Sequence, residues 1–238
     1  MIDFHTHILP DIDDGAGSVE ESVRMIEILN GQGVDKIVLT PHFYAYVSSA
    51  QSFIDKRNTS VRSLTSALKE KNMKVDLYLA GEILFFEELW RLDELKSFCI
   101  SGTPYMVVEL PFSSWDNSLV ENVIKLSNRG VVPIIAHFER YIKYKGNMGK
   151  IRNMLNSGVL LQMNCNFINN FFTRRKAVRF IKKGMVSVLG TDSHNIYERC
   201  PEFEKAVLFL KKKLGQRAYE RFLKKQQYFL KTANKVVY

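Results

Sequence analysis

A parallel α/β sheet covered by helices is the fold this sequence predicts, and two observations carry it. Runs rich in Val, Ile and Leu alternate with longer amphipathic stretches, and seven such runs lie between Met1 and Gly190. At 238 residues, 46% hydrophobic and 25% charged, the chain has the length and composition to bury a substantial core. Seven parallel strands suit a closed or nearly closed barrel, with an open doubly wound sheet as the competing architecture.

The first run is Met1 to Phe4. The helix after it opens on Ser18-Val-Glu-Glu21, a capping box, carries Val23, Ile26 and Leu29 on one face, and stops at Gly31 and Gly33. Run two, Lys36 to Thr40, leads to a helical pattern from about Ser52 to Lys71. Run three, Val75 to Ala80, has no clear helix after it, whereas run four, Tyr105 to Leu110, precedes a helix over Asn117 to Arg129. Run five, Val132 to Ala136, precedes Lys150 to Asn156, and run six, Val159 to Asn164, precedes Thr173 to Lys183. Run seven, Met185 to Gly190, is followed by helices over Glu202 to Leu214 and Gln216 to Lys225. No linker or internal repeat divides the pattern, so one domain spanning 1–238 is expected.

Several function classes lack support. The chain has neither a G-x-G-x-x-G nor a G-x-x-x-x-G-K-[ST] motif. No apolar run approaches the roughly 18 to 20 residues of a spanning helix, and the first residues do not form a signal peptide, so a cytoplasmic protein is expected. Cys99, Cys165 and Cys200 lack C-x-x-C spacing, which argues against a disulfide framework and a cysteine zinc site. Six residues beyond them stand Tyr105, Phe171 and Ala206, so the C-x₅-R spacing of cysteine phosphatases is missing too. The net charge of +9 comes mainly from Pro201 to Tyr238, where ten Lys or Arg face three Glu. Lys211, Lys212, Lys213, Arg217, Arg221, Lys224 and Lys225, interleaved with Phe209, Tyr219 and Phe222, could form a nucleic-acid or membrane-surface stripe. The helical spacing of the apolar residues there favours solvated helix faces over a core instead.

All five histidines sit at or just after the C-terminal end of a run: His5, His7, His42, His137 and His194. Glu82, Glu109 and Asp192 obey the same rule, and the loop Asp11, Asp13, Asp14 adds more carboxylates. In a parallel barrel those ends share one rim, where loops build active sites. A single histidine there is more often an ordinary hydrogen-bonding group, but His5 and His7 alternate on one strand and the others share their placement. Imidazole and carboxylate without thiolate suit zinc, manganese or iron, and bridging carboxylates hold two or three such ions together. Arg140 and Arg199 lie beside these residues in sequence, and a guanidinium fork there suits a phosphoryl group.

These motifs resemble those of the PHP-superfamily phosphoesterases, in particular the bacterial tyrosine-protein phosphatases that regulate capsule and exopolysaccharide synthesis. The resemblance rests on Met1-Ile-Asp-Phe-His-Thr-His7, Asp11-Ile-Asp-Asp-Gly15, Thr40-Pro-His42, Gly81-Glu82, Val108-Glu109, Ala136-His-Phe-Glu-Arg-Tyr141 and Thr191-Asp-Ser-His-Asn195. It implies a distorted seven-stranded (β/α)7 TIM-like barrel, the PHP fold. It implies two or three divalent ions, manganese first, with iron or zinc as alternatives. The ligands would be His5, His7, Asp14, His42, Glu82, Glu109, His137, Asp192 and His194, with Arg140 and Arg199 holding phosphate. Asp13 would either support a ligand or organise the turn before Gly15. His42, Asp14 or His194 would protonate the leaving oxygen.

The implied reaction is metal-assisted hydrolysis of a phosphomonoester. The implied substrate is a phosphotyrosine protein, the tyrosine-rich tail of an autophosphorylating bacterial kinase, which would bring the enzyme near the membrane; no specific nucleic acid is expected, and self-association is left open. Histidinol phosphate or another small phosphomonoester is the alternative substrate, and a basic binding module on an inactive barrel is the alternative of another class. Two positions depart from the family pattern: Phe138 stands where proline is expected, and Cys200-Pro201 where two prolines are usual. The first could loosen the loop that carries Arg140.

Overall fold

Every strand pairing is parallel, as the alternation of strands and helices requires. A computed structural model describes residues 1–238. The strands are β1 (Ile2–Thr6), β2 (Lys36–Leu39), β3 (His42–Phe43), β4 (Asp76–Leu79), β5 (Glu82–Leu84), β6 (Tyr105–Glu109), β7 (Val132–Ile135), β8 (Leu160–Asn164) and β9 (Val188–Gly190). The helices are α1 (Val19–Gly31), α2 (Ala50–Glu70), α3 (Asn117–Lys125), α4 (Asn147–Asn156), α5 (Cys165–Asn169), α6 (Arg174–Lys182), α7 (Glu204–Leu214) and α8 (Gln216–Phe229). None is long and apolar enough to cross a membrane.

The seven expected strands appear as nine segments, in two ladders ordered β1-β2-β4 and β3-β5-β6-β7-β8-β9. The extra strands arise because runs two and three each break near their ends. Pro41 has no N–H for a ladder, and its carbonyl accepts from Glu82 N at 2.9 Å. Gly81 turns its N–H to Phe98 O at 3.2 Å, where a side chain would meet the rings of Phe98 and Phe53. The sheet curls so that β1 lies beside β9, joined by an isolated parallel bridge from Thr6 to Ser193. Within β1 the register slips between Asp3 and Thr6, a bulge of the kind that re-aims side chains near sites.

Helix ends follow local chemistry. Ser18 Oγ accepts from Glu21 N at 3.2 Å to cap α1, and Ser49 does the same for Ser52, starting α2 at Ala50 rather than Ser52. α5 and the 3-10 turns Leu89–Arg91, Leu95–Phe98 and Phe138–Arg140 are too short to leave a helical period in the sequence. A cluster of 52 buried apolar residues forms the main core, and a smaller one joins Ile2, Phe4, Val38 and Val188 to Phe229 and Leu230 at the end of α8. Tyr219 and Phe222 are buried in the main core while Lys211, Arg217, Arg221 and Lys224 face solvent. Of the three aromatic residues interleaved with the basic ones, two are therefore turned inward and Phe209 is half-buried.

Candidate metal centre

The strand ends, with the loop between β1 and α1, bring the expected residues into one cluster, buried except at its Asp14 edge, where the side chain is 62% exposed. His7, Asp14, His42 and His194 offer ligand atoms within 4.8 Å of one another, as do His5, His7 and Asp192, and His42, Glu82 and Glu109. His137 joins them through Nε2, 3.1 Å from Glu82 Oε1 and 3.4 Å from Glu109 Oε1. Glu82 is the hub: its Oε2 lies 3.0 Å from His5 Nε2, 3.2 Å from His7 Nε2 and 3.0 Å from His42 Nδ1. Asp11 stands outside these groups, in a turn where its N–H reaches Ala16 O.

Supporting bonds orient the imidazoles. Gln162 Oε1 accepts from His137 N at 2.6 Å and lies 3.1 Å from His5 Nδ1, so that nitrogen carries its proton and Nε2 of His5 presents a lone pair. Asp13 accepts from His7 Nδ1 at 2.8 Å, and the Asp192 carbonyl lies 3.0 Å from His194 Nδ1. In each case a partner on Nδ1 leaves Nε2 facing the cluster, the pattern that prepares histidine for a metal ion. Asp13 also accepts from His42 N and Gly15 N, so it both supports ligands and organises the turn.

The donor set fits a metal. His42 Nδ1, Glu82 Oε2 and His194 Nε2 are buried without a hydrogen-bond partner, although His42 Nδ1 is 3.0 Å from Glu82 Oε2 and His194 Nε2 is 3.4 Å from Asp14 Oδ1. Their orientation at these distances makes no hydrogen bond between them. Bare buried polar atoms cost about 1–3 kcal/mol each, and a cation among them would satisfy several together.

The electrostatics agree. Burial pushes the Glu82 carboxyl up, but the imidazole of His5, with His137 bonded to it and His42 close by, holds it well below the usual range. Burial likewise works against Asp192, yet His7, His5 and Arg140 hold it well below the ordinary value. Burial opposes charge on His137, and Glu109 and Glu82 outweigh it, raising its pKa to about 9. Such a field stabilises positive charge wherever it is placed among these carboxylates.

Two guanidiniums edge the cluster, with Arg140 38% and Arg199 40% exposed. Arg140 Nη2 donates to Asp192 Oδ2, and Arg199 Nη2 donates to Asp192 Oδ1 at 3.0 Å. Both therefore stand where an anion bound over Asp192 would meet them.

Sequence reasoning missed the layer beneath the ligands. Asn164 Nδ2 donates to Asp192 Oδ2 at 2.9 Å, and Asn164 Oδ1 accepts from Gln162 Nε2 at 2.8 Å; both Asn164 and Gln162 lie on β8, which carries no expected ligand. Asp3 accepts from Thr191 N and Thr191 Oγ1, tying β1 to the segment after β9. Buried Arg57 of α2 donates to Ala80 O and Ser97 O, bracing the turn before Glu82. His137 and Asp192 have φ of 29° and 55°, left-handed conformations uncommon for residues other than glycine.

A parallel α/β sheet with an imidazole and carboxylate cluster at its C-terminal rim is the class of protein that fold and site define. Within that class the chain belongs to the capsular polysaccharide synthesis CpsB/CapC family, whose model matches residues 1–231. It is 28% identical to tyrosine-protein phosphatase CpsB of Streptococcus agalactiae serotype III (strain NEM316), over 97% of this chain and 98% of the relative. It is 26% identical to tyrosine-protein phosphatase YwqE of Bacillus subtilis (strain 168), over 90% of this chain and 85% of that one. A solved structure from work on YwqE of Bacillus subtilis and CpsB of Streptococcus pneumoniae, described as metal-dependent tyrosine phosphatases, shares the fold. The TM-score is 0.86 at 23% identity, with 99% of this chain and 97% of the other covered. The family is the one that the sequence motifs resemble.

Proposed function

We propose that this protein is a metal-dependent phosphomonoesterase acting on phosphotyrosine in proteins. The observation that carries the reading is the meeting of three imidazole and carboxylate groups with two guanidiniums at one rim. Curated relatives along nearly the whole chain are named tyrosine-protein phosphatases, which supports the substrate class.

In this reading His5, His7, Asp14, His42, Glu82, Glu109, His137, Asp192 and His194 hold two or three divalent ions, manganese first, with iron or zinc as alternatives. Such ions supply Lewis acidity, which lowers the pKa of water towards about 7 and neutralises phosphoryl charge. Arg140 and Arg199 bind the equatorial phosphoryl oxygens and hold phosphorus in line for attack. Whichever of His194 and His42, beside Asp14 at the exposed edge, is not holding an ion gives a proton to the leaving phenolate; with a leaving-group pKa of about 10, that help is small. Gln162, Asn164 and Asp13 keep the ligands oriented.

The finer expectations belong to the same reading: one domain over residues 1–238, a sheet closed into a distorted seven-stranded barrel, action in the cytoplasm, and the anionic tail of a bacterial tyrosine kinase as substrate. The Thr6 to Ser193 bridge supports closure.

The test is phosphate release from a phosphotyrosine peptide and from histidinol phosphate, by chelator-stripped protein before and after manganese is restored. Manganese-dependent release from the peptide is the expected result. Turnover of histidinol phosphate alone would overturn the substrate class, and no turnover of either would overturn the enzyme reading.

A further inference from the structure

Two adjacent phenylalanines lie bare in the connection between α5 and α6, and the mechanism above does not use them. Phe171 is 64% and Phe172 90% exposed, with their rings edge to face at 5.7 Å between centroids. Single apolar side chains on a surface are ordinary, whereas neighbouring exposed rings form a patch. The turn that carries them is held in place: Phe172 N donates to Asn170 Oδ1 at 2.9 Å, and Thr173 Oγ1 donates to Phe167 O at 2.6 Å. Arg174 braces the first ring, its Cζ lying 4.4 Å from the Phe171 centroid and 5.0 Å from that of Phe209 on α7.

Charge continues the feature along α6, where every ionisable residue is a cation. Ala177, Phe180 and Ile181 are buried, whereas Arg175, Lys176, Arg179, Lys182 and the C-cap Lys183 are exposed on the opposite face. Arg174, Arg175 and Lys176 form the first turn, at the positive end of the helix dipole, where cations cost stability rather than add to it. The salt bridges made by arginine and lysine side chains lie elsewhere, at Arg140, Arg199 and Lys235. Folding therefore gives no reason for this run of charge, and an external anion does. On α8 the row Arg217, Arg221 and Lys224 is broken by Glu220 and accompanied by one exposed ring, Tyr228.

Phe172 stands out from the surface rather than lining a groove, so it offers a peptide no pocket, and a lipid surface needs none. Exposed rings beside a cationic helix face match the two layers of such a surface. The rings enter the boundary between headgroups and acyl chains, and the guanidinium and ammonium groups meet anionic phosphates. We propose that Phe171, Phe172 and the outer face of α6 dock this protein on an anionic lipid bilayer. The docking turn follows the C-terminal end of β8, the end of the sheet that carries the metal cluster, so the rim is held beside the bilayer. This goes beyond the phosphatase reading and does not depend on it.

The experiment is co-sedimentation of the full chain with vesicles of phosphatidylcholine alone, or of phosphatidylcholine and phosphatidylglycerol in a two-to-one ratio. Wild type is expected to bind the mixed vesicles and not the neutral ones, less tightly as salt is raised. The triple variant Arg175→Gln, Lys176→Gln, Arg179→Gln should lower binding about 100-fold, since each cation near such a surface contributes about fivefold. Phe171→Ser with Phe172→Ser should lower it at least about tenfold. Removing the same charge from α8, by Arg217→Gln, Arg221→Gln and Lys224→Gln, should change it less than about threefold. All of these residues are exposed, so each variant should keep the circular dichroism of wild type. In Phe172→Trp, brominated lipid should quench the added fluorescence, with the signal of Trp90 and Trp115 in wild type as the blank. Failure of wild type to bind the mixed vesicles, equal losses from the α6 and α8 triples, or binding without quenching would overturn the proposal. Binding of polyglutamate but not of vesicles, lost in the α6 triple, would overturn it in favour of an acidic protein segment.

Discussion

Gln162 governs His5 from two strands away: its Oε1 lies 3.1 Å from His5 Nδ1, and this aims Nε2 at Glu82 and His7. The same oxygen accepts from His137 N, so one side chain on β8 sets two candidate ligands. Gln162→Leu is therefore expected to weaken manganese binding about 10- to 100-fold, read by competition with a chelator. It also strands the His137 N–H, and a loss of about 1–3 kcal/mol should appear in denaturant unfolding of the metal-free protein. Unchanged metal affinity would show that His5 orients without it.

Ligand and anion residues should separate by metal content. His5→Ala and Asp192→Ala are expected to lose turnover and at least part of the bound manganese while keeping far-UV circular dichroism. Arg140→Ala should keep its manganese and lose about 10²-fold or more in kcat/KM, because it removes a donor to the phosphoryl oxygens rather than a ligand. Loss of metal in Arg140→Ala would mean that its bond to Asp192 matters more than any anion contact.

Gly190 exists for space. A Cβ there would stand 2.5 Å from His5 Cβ and 2.9 Å from Gln162 Nε2, both fixed in the cluster floor. Gly190→Ala should therefore displace His5, lower metal content and destabilise the fold by about 1–3 kcal/mol, measured by thermal melting with and without manganese. Wild-type stability and metal content in this variant would contradict the packing drawn here.

The thiols should be spectators. Burial pushes the Cys99 thiol up to about 12 and raises Cys165 well above its ordinary value, whereas Cys200 is partly exposed. Iodoacetamide at neutral pH is expected to label Cys200 alone in the folded protein, as mass spectrometry would show, and Cys200→Ser should retain activity. Inactivation by labelling of Cys99 or Cys165 would count against a metal-based reaction.

Metal should also act on stability. A ligand that binds only the folded state adds about 2.7 kcal/mol at a hundred times its Kd, so manganese should raise Tm in a concentration-dependent way and His5→Ala should blunt the rise. Equal shifts in wild type and variant would indicate binding elsewhere.

The sequence by itself determined the parallel α/β class, the order of its elements and the set of side chains at the rim. These are legible because periodicity is local, and because His5, His42, Glu82, Glu109, His137 and Asp192 each stand at the end of an apolar run or within a few residues of it. Only the tertiary structure decided how they meet. The breaks at Pro41 and Gly81, the bulge in β1 and the left-handed backbone at His137 and Asp192 depend on what packs against them. Gln162 and Asn164 gave no signal because amides on a strand are ordinary in sequence, and the partner that gives Gln162 its meaning is 157 residues away. Chemistry resides in residue types, which a sequence states outright; orientation resides in contacts between distant segments, which form only when the sheet curls β1 against β9.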